Sequence, residues 1–96
     1  MMVLVTYDVS TINAAGRRRL RQVAKCCLNY GQRVQNSVFE CIVTTENWVQ
    51  FRHELVVLIE PESDSLRFYF LGGKWRERTE HVGAKPSIDL EGPLIV

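Results

Sequence analysis

The alternation of apolar and polar positions at the start of the chain predicts a buried strand over residues 2–8. Its two faces are both mostly apolar and consist of Val3, Val5 and Tyr7 on one side and Met2, Leu4 and Thr6 on the other. A strand that is apolar on both faces is expected in the centre of a sheet. The strand ends in Asp8, so a carboxylate projects from the end of the sheet beside the start of the next element.

A helical period follows from about residue 13 to residue 29. Apolar residues recur at i, i+3, i+4, i+7 and i+8 and form one stripe of Leu20, Val23, Ala24, Cys27 and Leu28. Asn13 is suited to cap the start of this helix, and residues 29–31 contain the asparagine and glycine that commonly end one.

Residues 33–43 are rich in strand formers but long for one strand. Asn36-Ser37 is either a tight turn between two strands or a bulge within one, and the pattern leaves both open. A second helix is expected over about residues 46–60, capped by Thr44 or Thr45 and ended by Pro61. Its apolar face consists of Trp48, Phe51, Leu55, Leu58 and Ile59.

The last part of the chain contains one more clear strand, over residues 65–71, which Gly72-Gly73 ends. Residues 74–81 are charged and fit either a loop or a short strand. We place the domain over residues 1–83 and treat residues 84–96 as a tail. This tail ends in Pro-Leu-Ile-Val, and we expect it to dock on a sheet, its own or a partner subunit's.

These elements predict an α+β fold with an antiparallel sheet. If residues 33–43 form two strands, the order becomes βαββαβ, which is the ferredoxin-like arrangement. Two helices would then cover one face of the sheet. The other face would need a second subunit, so we expect a homodimer.

The composition fits one small domain, in which basic and acidic residues are unevenly distributed along the chain although the net charge is small. The 96 residues are 46% hydrophobic and 24% charged, with a formal net charge of +1. Between Arg17 and Arg33 there are six basic residues and no acidic one, whereas acids gather in residues 60–64. One face therefore carries a positive field. The chain has three cysteines but no C-x-x-C pair, and it has no apolar span long enough to cross a membrane. We therefore expect a reduced, cytoplasmic protein.

Asp8 is the first candidate for chemistry. A carboxylate at a strand end is a candidate ligand for Mg²⁺ or Mn²⁺ or a candidate general base, although such residues also commonly cap helices or fix turns. No second acid is near it in sequence, and a symmetric dimer would supply one by bringing two copies of Asp8 together. Ser10 is suited either to a metal-bound water or to the turn.

The arginine cluster is the second candidate. Arg17, Arg18, Arg19 and Arg21 lie near a helix N-terminus, where positive charge opposes the helix dipole. Phosphate binding would explain this unfavourable placement, and a solvated helix face is the alternative. Tyr7 and Phe39 are suited to stacking on bases or to packing in the core.

The motifs Val3-Leu4-Val5-Thr6-Tyr7-Asp8-Val9 and Arg33-Val34-Gln35-Asn36-Ser37-Val38-Phe39-Glu40, with an arginine-led helix between them, resemble the Cas-two family of CRISPR-associated proteins. This family is the small subunit of the spacer-acquisition machinery. Residues 83–90 resemble the tail of its type I-C branch.

The resemblance implies a ferredoxin-like homodimer whose C-terminal strand completes the partner's sheet, and it favours two strands within residues 33–43. It assigns the metal role to Asp8, places Tyr7 beside it, and matches Arg17, Arg19, Arg33 and Phe39 to positions linked to activity or nucleic-acid contact. Family members are described as metal-dependent nucleases acting on RNA or double-stranded DNA. They are also described as scaffolds that bridge integrase subunits.

The residues and the resemblance therefore leave three functions open. The first is a nuclease in which two Asp8 carboxylates hold one Mg²⁺ or Mn²⁺ at the dimer axis. The second is a non-catalytic scaffold that clamps a DNA duplex and docks the integrase. The third is a ferredoxin-like regulatory module without nucleic acid, against which the basic first helix argues.

Overall fold

The computed structural model describes residues 1–71 and 79–84, which form five strands and two helices. In chain order these are β1 (Met2–Asp8), α1 (Ala14–Leu28), β2 (Gly31–Gln35), β3 (Val38–Ile42), α2 (Thr45–Leu58), β4 (Ser65–Phe70) and β5 (Thr79–Gly83).

The strands form one antiparallel sheet in the order β2-β3-β1-β4-β5. This order confirms the predicted α+β, ferredoxin-like class, with β1 in the centre and β5 added beside β4. Residues 33–43 contain two strands separated by a turn at Asn36 and Ser37, and the register of β2 shifts between Arg33 and Gln35. Within the charged segment 74–81, the structure describes residues 79–81, and these form the start of β5.

Each helix begins at a side-chain cap that satisfies a backbone N–H of its first turn. The Asn13 side chain accepts from the N–H of Gly16 at 2.8 Å, and the Thr44 hydroxyl accepts from the N–H of Asn47 at 3.1 Å. The prediction of the apolar stripe on α1 is wrong at its last residue. Leu28 is exposed and Cys26 is buried instead, because successive helical positions turn by about 100° and carry Leu28 off the stripe.

The core lies between the helices and one face of the sheet. Its fully buried side chains include Val3, Val5, Val23, Cys27, Phe39, Cys41, Phe51, Leu55, Leu66 and Phe68. Burial raises the pKa of the Cys26 and Cys41 thiols to about 11 and raises that of Cys27 as well. The three thiols are therefore protonated at neutral pH and act as small apolar groups.

The opposite face of the sheet, here called the helix-free face, carries no helix in the described part of the chain. Strand alternation places Leu4, Thr6 and Asp8 of β1 on it, together with Glu40 and Ile42 of β3. Apart from Ala84, the predicted tail 84–96 lies outside the described residues. Neither described helix is long and apolar enough to cross a membrane.

Candidate metal and nucleic-acid site

Asp8 is the last residue of the central strand and is exposed on the helix-free face. In the antiparallel pairing of β1 with β4 it lies opposite Ser65. The strand periodicity produces this placement, because the buried positions Val3, Val5 and Tyr7 leave every second residue on the other face. The carboxylate is thus held by the centre of the sheet and directed away from the core.

The loop after Asp8 is packed closely against the first turn of α1. A Cβ atom on Gly16 would lie only 1.9 Å from the backbone oxygen of Ser10, so this approach requires glycine. Ser10 itself is half-buried, and its backbone N–H donates to Oδ1 of Asp64 at 3.0 Å. The loop position of Ser10 agrees with a turn role, and a role in holding a metal-bound water stays a prediction.

Asp64 is a buried carboxylate that the sequence did not single out, since it belongs to an acidic segment that looks like solvated surface. It accepts hydrogen bonds from the backbone N–H groups of Ser10 and Glu60 and from Nε of Arg19 at 2.8 Å. Burial acts to raise the pKa of this carboxyl, but the bonds from Arg19, Glu60 and Ser10 outweigh burial and lower that pKa. Asp64 is therefore charged and joins three separate segments.

Arg19 differs from the other arginines of its cluster because it points to the sheet. Its Nε and Nη2 atoms both contact the Asp64 carboxylate, and its own pKa is raised mainly by that hydrogen bond. Arg19 lies four residues before Val23 and seven before Cys26, both of which are buried, so helical spacing places it at the edge of the buried stripe. The nucleic-acid role expected for Arg19 stays a prediction, and the ion pair gives this residue a structural role as well.

The exposed cations of α1 form a continuous row, here called the basic ridge and defined as Arg17, Arg18, Arg21 and Lys25. With 3.6 residues per turn these four positions fall within an arc of about 100°, and they extend about 12 Å along the helix. Phosphates of one nucleic-acid strand are about 3.4 Å apart along a duplex axis, so the ridge spans several of them. Its surface charge suits an anionic backbone.

Arg33 of β2 lies above the core aromatics. Its guanidinium is 5.2 Å from the centre of the Phe39 ring, and the Phe39 and Tyr7 rings stack at 6.1 Å. Phe39 is fully buried and Tyr7 nearly so, which favours their core role over stacking on bases. Burial is the main cause of the raised pKa of Tyr7, partly offset by a hydrogen bond with Arg33. Both aromatics thus support Arg33.

A single chain offers few ligands to a metal ion. Within residues 1–71 and 79–84 no three His, Cys, Asp or Glu side chains come together as a metal-ligand group. Asp8 still has the right chemistry, since Mg²⁺ is commonly held by one or two carboxylates together with substrate phosphates and water. The donor set fits the ion if a second copy of the chain contributes its own Asp8.

Comparison with known proteins agrees with this fold. Residues 1–79 match the family model described as CRISPR associated protein Cas2. The chain is 60% identical, over 99% of its length and all of the relative, to CRISPR-associated endoribonuclease Cas2 3 of Rhodospirillum rubrum. It is also 60% identical, over 99% of each chain, to CRISPR-associated endonuclease Cas2 of Halalkalibacterium halodurans.

A solved structure gives the same result. The crystal structure of Streptococcus pyogenes Cas2 at pH 6.5 superimposes with a TM-score of 0.71 and 59% identity, covering 86% of this chain and 100% of that one. Fold, length and sequence thus agree between this protein and named Cas2 proteins. The chain therefore belongs to the Cas2 family of CRISPR-associated proteins.

Proposed function

We propose that the protein is a metal-dependent phosphodiesterase that binds nucleic acid as a homodimer and serves in CRISPR spacer acquisition. The observation that carries the proposal is the exposed Asp8 carboxylate at the end of the central strand, near the start of a helix whose outer side is basic. The names of relatives as endoribonuclease and endonuclease support nuclease chemistry.

The dimer would form through the helix-free face. This face carries exposed apolar side chains, of which Ile42 is 73% exposed, and it also carries Asp8. A twofold axis through it would place the two Asp8 carboxylates near one another, so that each chain supplies half of a site. The same arrangement would remove the exposed apolar surface from water.

The metal ion and the protein side chains would make different contributions to cleavage. Bound Mg²⁺ or Mn²⁺ would supply Lewis-acid stabilisation of a phosphoryl oxygen and a more acidic water. Asp8 of each chain would hold the ion and accept a hydrogen bond from the attacking water. Arg33 and the basic ridge, which lie on the helix side of the sheet, would bind the nucleic-acid backbone at a distance from the ion. A site with one ion is sparse for phosphodiester cleavage, so we expect modest rates.

The nucleic acid is proposed to be double-stranded DNA, with single-stranded RNA as the alternative substrate. A ridge on a rigid helix suits the regular phosphate spacing of a duplex, and contacts to phosphates alone do not read sequence. We place the protein in the cytoplasm, in a type I-C system, where it would bridge integrase subunits. The tail 84–96 is the proposed docking segment, on the partner subunit's sheet or on the integrase.

The test is Mn²⁺-dependent cleavage of duplex DNA and of single-stranded RNA by the wild type and by Asp8→Asn. We expect Asp8→Asn to lose cleavage and Mn²⁺ binding but to retain nucleic-acid binding. Glu46→Gln is the matched control, because it removes an exposed carboxylate in the first turn of α2, which follows the end of β3 farthest from Asp8, and it should cleave normally. Cleavage by Asp8→Asn at the wild-type rate would show that the nuclease mechanism is wrong.

A second function, a non-catalytic scaffold, is favoured by the basic ridge itself. Its four cations lie on one side of α1, which suits a clamp on a duplex backbone and needs no metal. In cells, a scaffold predicts normal spacer acquisition with Asp8→Asn and loss of acquisition when Arg17 and Arg21 are both replaced by Ala. Loss of acquisition with Asp8→Asn alone would contradict a pure scaffold.

A further inference from the structure

Asp64 and Ser65, where β4 begins, contact the chain at Asp8 and just after it. Ser65 is the residue paired with Asp8 across the sheet, and the side chain of the preceding Asp64 accepts the backbone N–H of Ser10, two residues after Asp8. Val9, between these two anchors, is buried. Asp64 and Ser65 thus hold the backbone at Asp8 and at Ser10.

The Asp64 carboxylate is itself held from several directions. Oδ2 accepts from Arg19 of α1 at 2.8 Å and from the N–H of Glu60 at 2.9 Å, while Oδ1 accepts from Ser10. The backbone of Asp64 is fixed as well: its carbonyl oxygen accepts from the N–H of Ala84 at 2.9 Å. Gly83 passes so close to that oxygen that a Cβ atom there would lie 2.0 Å from it. A carboxylate held in this way is a rigid anchor.

We propose that Asp64, clamped by Arg19, is a positioning residue that fixes the loop after Asp8 and thereby the approach of the Asp8 carboxylate to a divalent cation. This inference rests on the proposed metal role of Asp8. Partners that orient a metal-ligating side chain commonly change metal affinity 10–100-fold when they are replaced, because the ligand geometry is lost although the ligand remains. Asp64 touches neither metal nor substrate in this account.

The principal variant is Asp64→Asn. An amide group keeps the shape of the side chain, but one of its two ends is an NH₂ that cannot accept hydrogen bonds from Ser10, Glu60 or Arg19. We expect backbone hydrogen exchange at Ser10 to accelerate about tenfold or more. We expect Mn²⁺ affinity, measured by electron paramagnetic resonance without nucleic acid, to fall about tenfold, and kcat for cleavage to fall more than KM rises.

Loss of stability alone must be distinguished from loss of positioning. Leu55→Ala leaves a cavity under α2, removes no hydrogen bond to Asp64 or Ser10, and lowers the thermal midpoint. It should bind Mn²⁺ as the wild type does. Arg19→Lys is the milder second variant, which keeps a cation beside Asp64 if Asp64→Asn does not fold, and it should change Ser10 exchange and Mn²⁺ affinity in the same direction but less.

The outcomes separate this inference from the function on which it rests. Unchanged Mn²⁺ affinity or unchanged Ser10 exchange in a folded Asp64→Asn or Arg19→Lys protein overturns the positioning role. An equal loss of Mn²⁺ affinity in Leu55→Ala overturns it too, since the effect would then reflect stability. If Asp8→Asn binds Mn²⁺ normally, the proposed metal function is wrong, and exchange at Ser10 alone decides whether Asp64 fixes the loop.

Discussion

The guanidinium of Arg33 lies 5.2 Å from the centre of the buried Phe39 ring, to which β-sheet register also pairs it. An arginine over an aromatic face gains about 0.5–1 kcal/mol at an exposed site and loses part of its rotational freedom. Under the proposed function, Phe39 would act on nucleic acid through Arg33. It has no exposed ring on which a base could stack.

Phe39→Leu is expected to weaken nucleic-acid binding although Phe39 touches no nucleic acid. Without the ring, Arg33 is no longer held in one orientation, and the loss of about 0.5–1 kcal/mol corresponds to a dissociation constant about two- to fivefold higher. Fluorescence anisotropy with a labelled duplex measures this change.

The control is Phe68→Leu, which makes the same substitution at another fully buried position, packed against Trp48 and away from Arg33. It should lose stability but bind the duplex as the wild type does. Equal affinities for the two variants would contradict the supporting role of Phe39.

Replacing single arginines of α1 should have two different effects on the salt dependence of nucleic-acid affinity. Replacing Arg18 or Arg21 by Ala should reduce the slope of log affinity against log salt by about 1 each, because each exposed cation releases about one counterion from the backbone. Arg19→Ala should instead lower the thermal midpoint and leave the slope nearly unchanged, since it deprives the buried Asp64 of its cation.

Arg52→Ala is the control for this series. It breaks a different ion pair, between Arg52 and Glu80, which lies between α2 and β5. Its salt slope should match that of the wild type. An Arg19→Ala slope that falls as much as that of Arg18→Ala would place Arg19 on the nucleic acid.

The sequence predicts the elements well because their causes are local. The alternation in β1, the caps Asn13 and Thr44 and the Pro61 stop depend on neighbouring residues only, and the structure has each element within a few residues of its expected bounds. Asp8 could be singled out for the same reason. The turn at residues 36–37 was left open by the pattern, since a bulge and a turn use the same residues.

Asp64 could not be predicted, because its burial depends on three segments that meet only in the folded chain. In sequence it belongs to an acidic run, of which Glu60 and Glu62 are indeed exposed. The sequence around Arg19, the partner of Asp64 in this ion pair, did contain an indication of such a carboxylate. Arg19 falls at the edge of the buried stripe of α1, and a cation at such a position favours a carboxylate partner from another element.

Stability should fall as the pH drops below about 6.5, the ordinary pKa of histidine, because of His81. Burial and the charge of Arg67, which faces His81 in the sheet, lower the pKa of His81. A histidine whose pKa is lower in the folded state binds fewer protons there than in the unfolded state. Its stabilising effect is thus complete above about pH 6.5 and is lost as the pH falls through the folded value.

Urea unfolding between pH 8 and pH 5 measures this dependence. His81→Gln, which stays neutral throughout, should lose less stability over this range than the wild type. His53→Gln, at an exposed position on α2, should keep the wild-type dependence. If the two variants respond to pH alike, His81 is not the group responsible.

Ile42→Glu is expected to prevent formation of the homodimer. Ile42 is 73% exposed on the helix-free face and pairs with Met2 at one end of β1. If a second copy covers this face, the new carboxylate would be buried against apolar side chains without a partner. The dissociation constant should then rise about 100-fold or more, because an unpaired charge is costly to desolvate. Sedimentation equilibrium measures it directly.

Val57→Glu is the matched control, since Val57 is 67% exposed but lies on α2, on the other side of the sheet. It introduces the same charge at a position of similar exposure and should leave the dimer intact. A monomeric Ile42→Glu protein should also lose Mn²⁺ affinity, because one chain would then supply only one Asp8 carboxylate. If Ile42→Glu stays dimeric, the two copies do not meet through this end of the helix-free face, and dissociation of Val57→Glu would instead place the interface on α2.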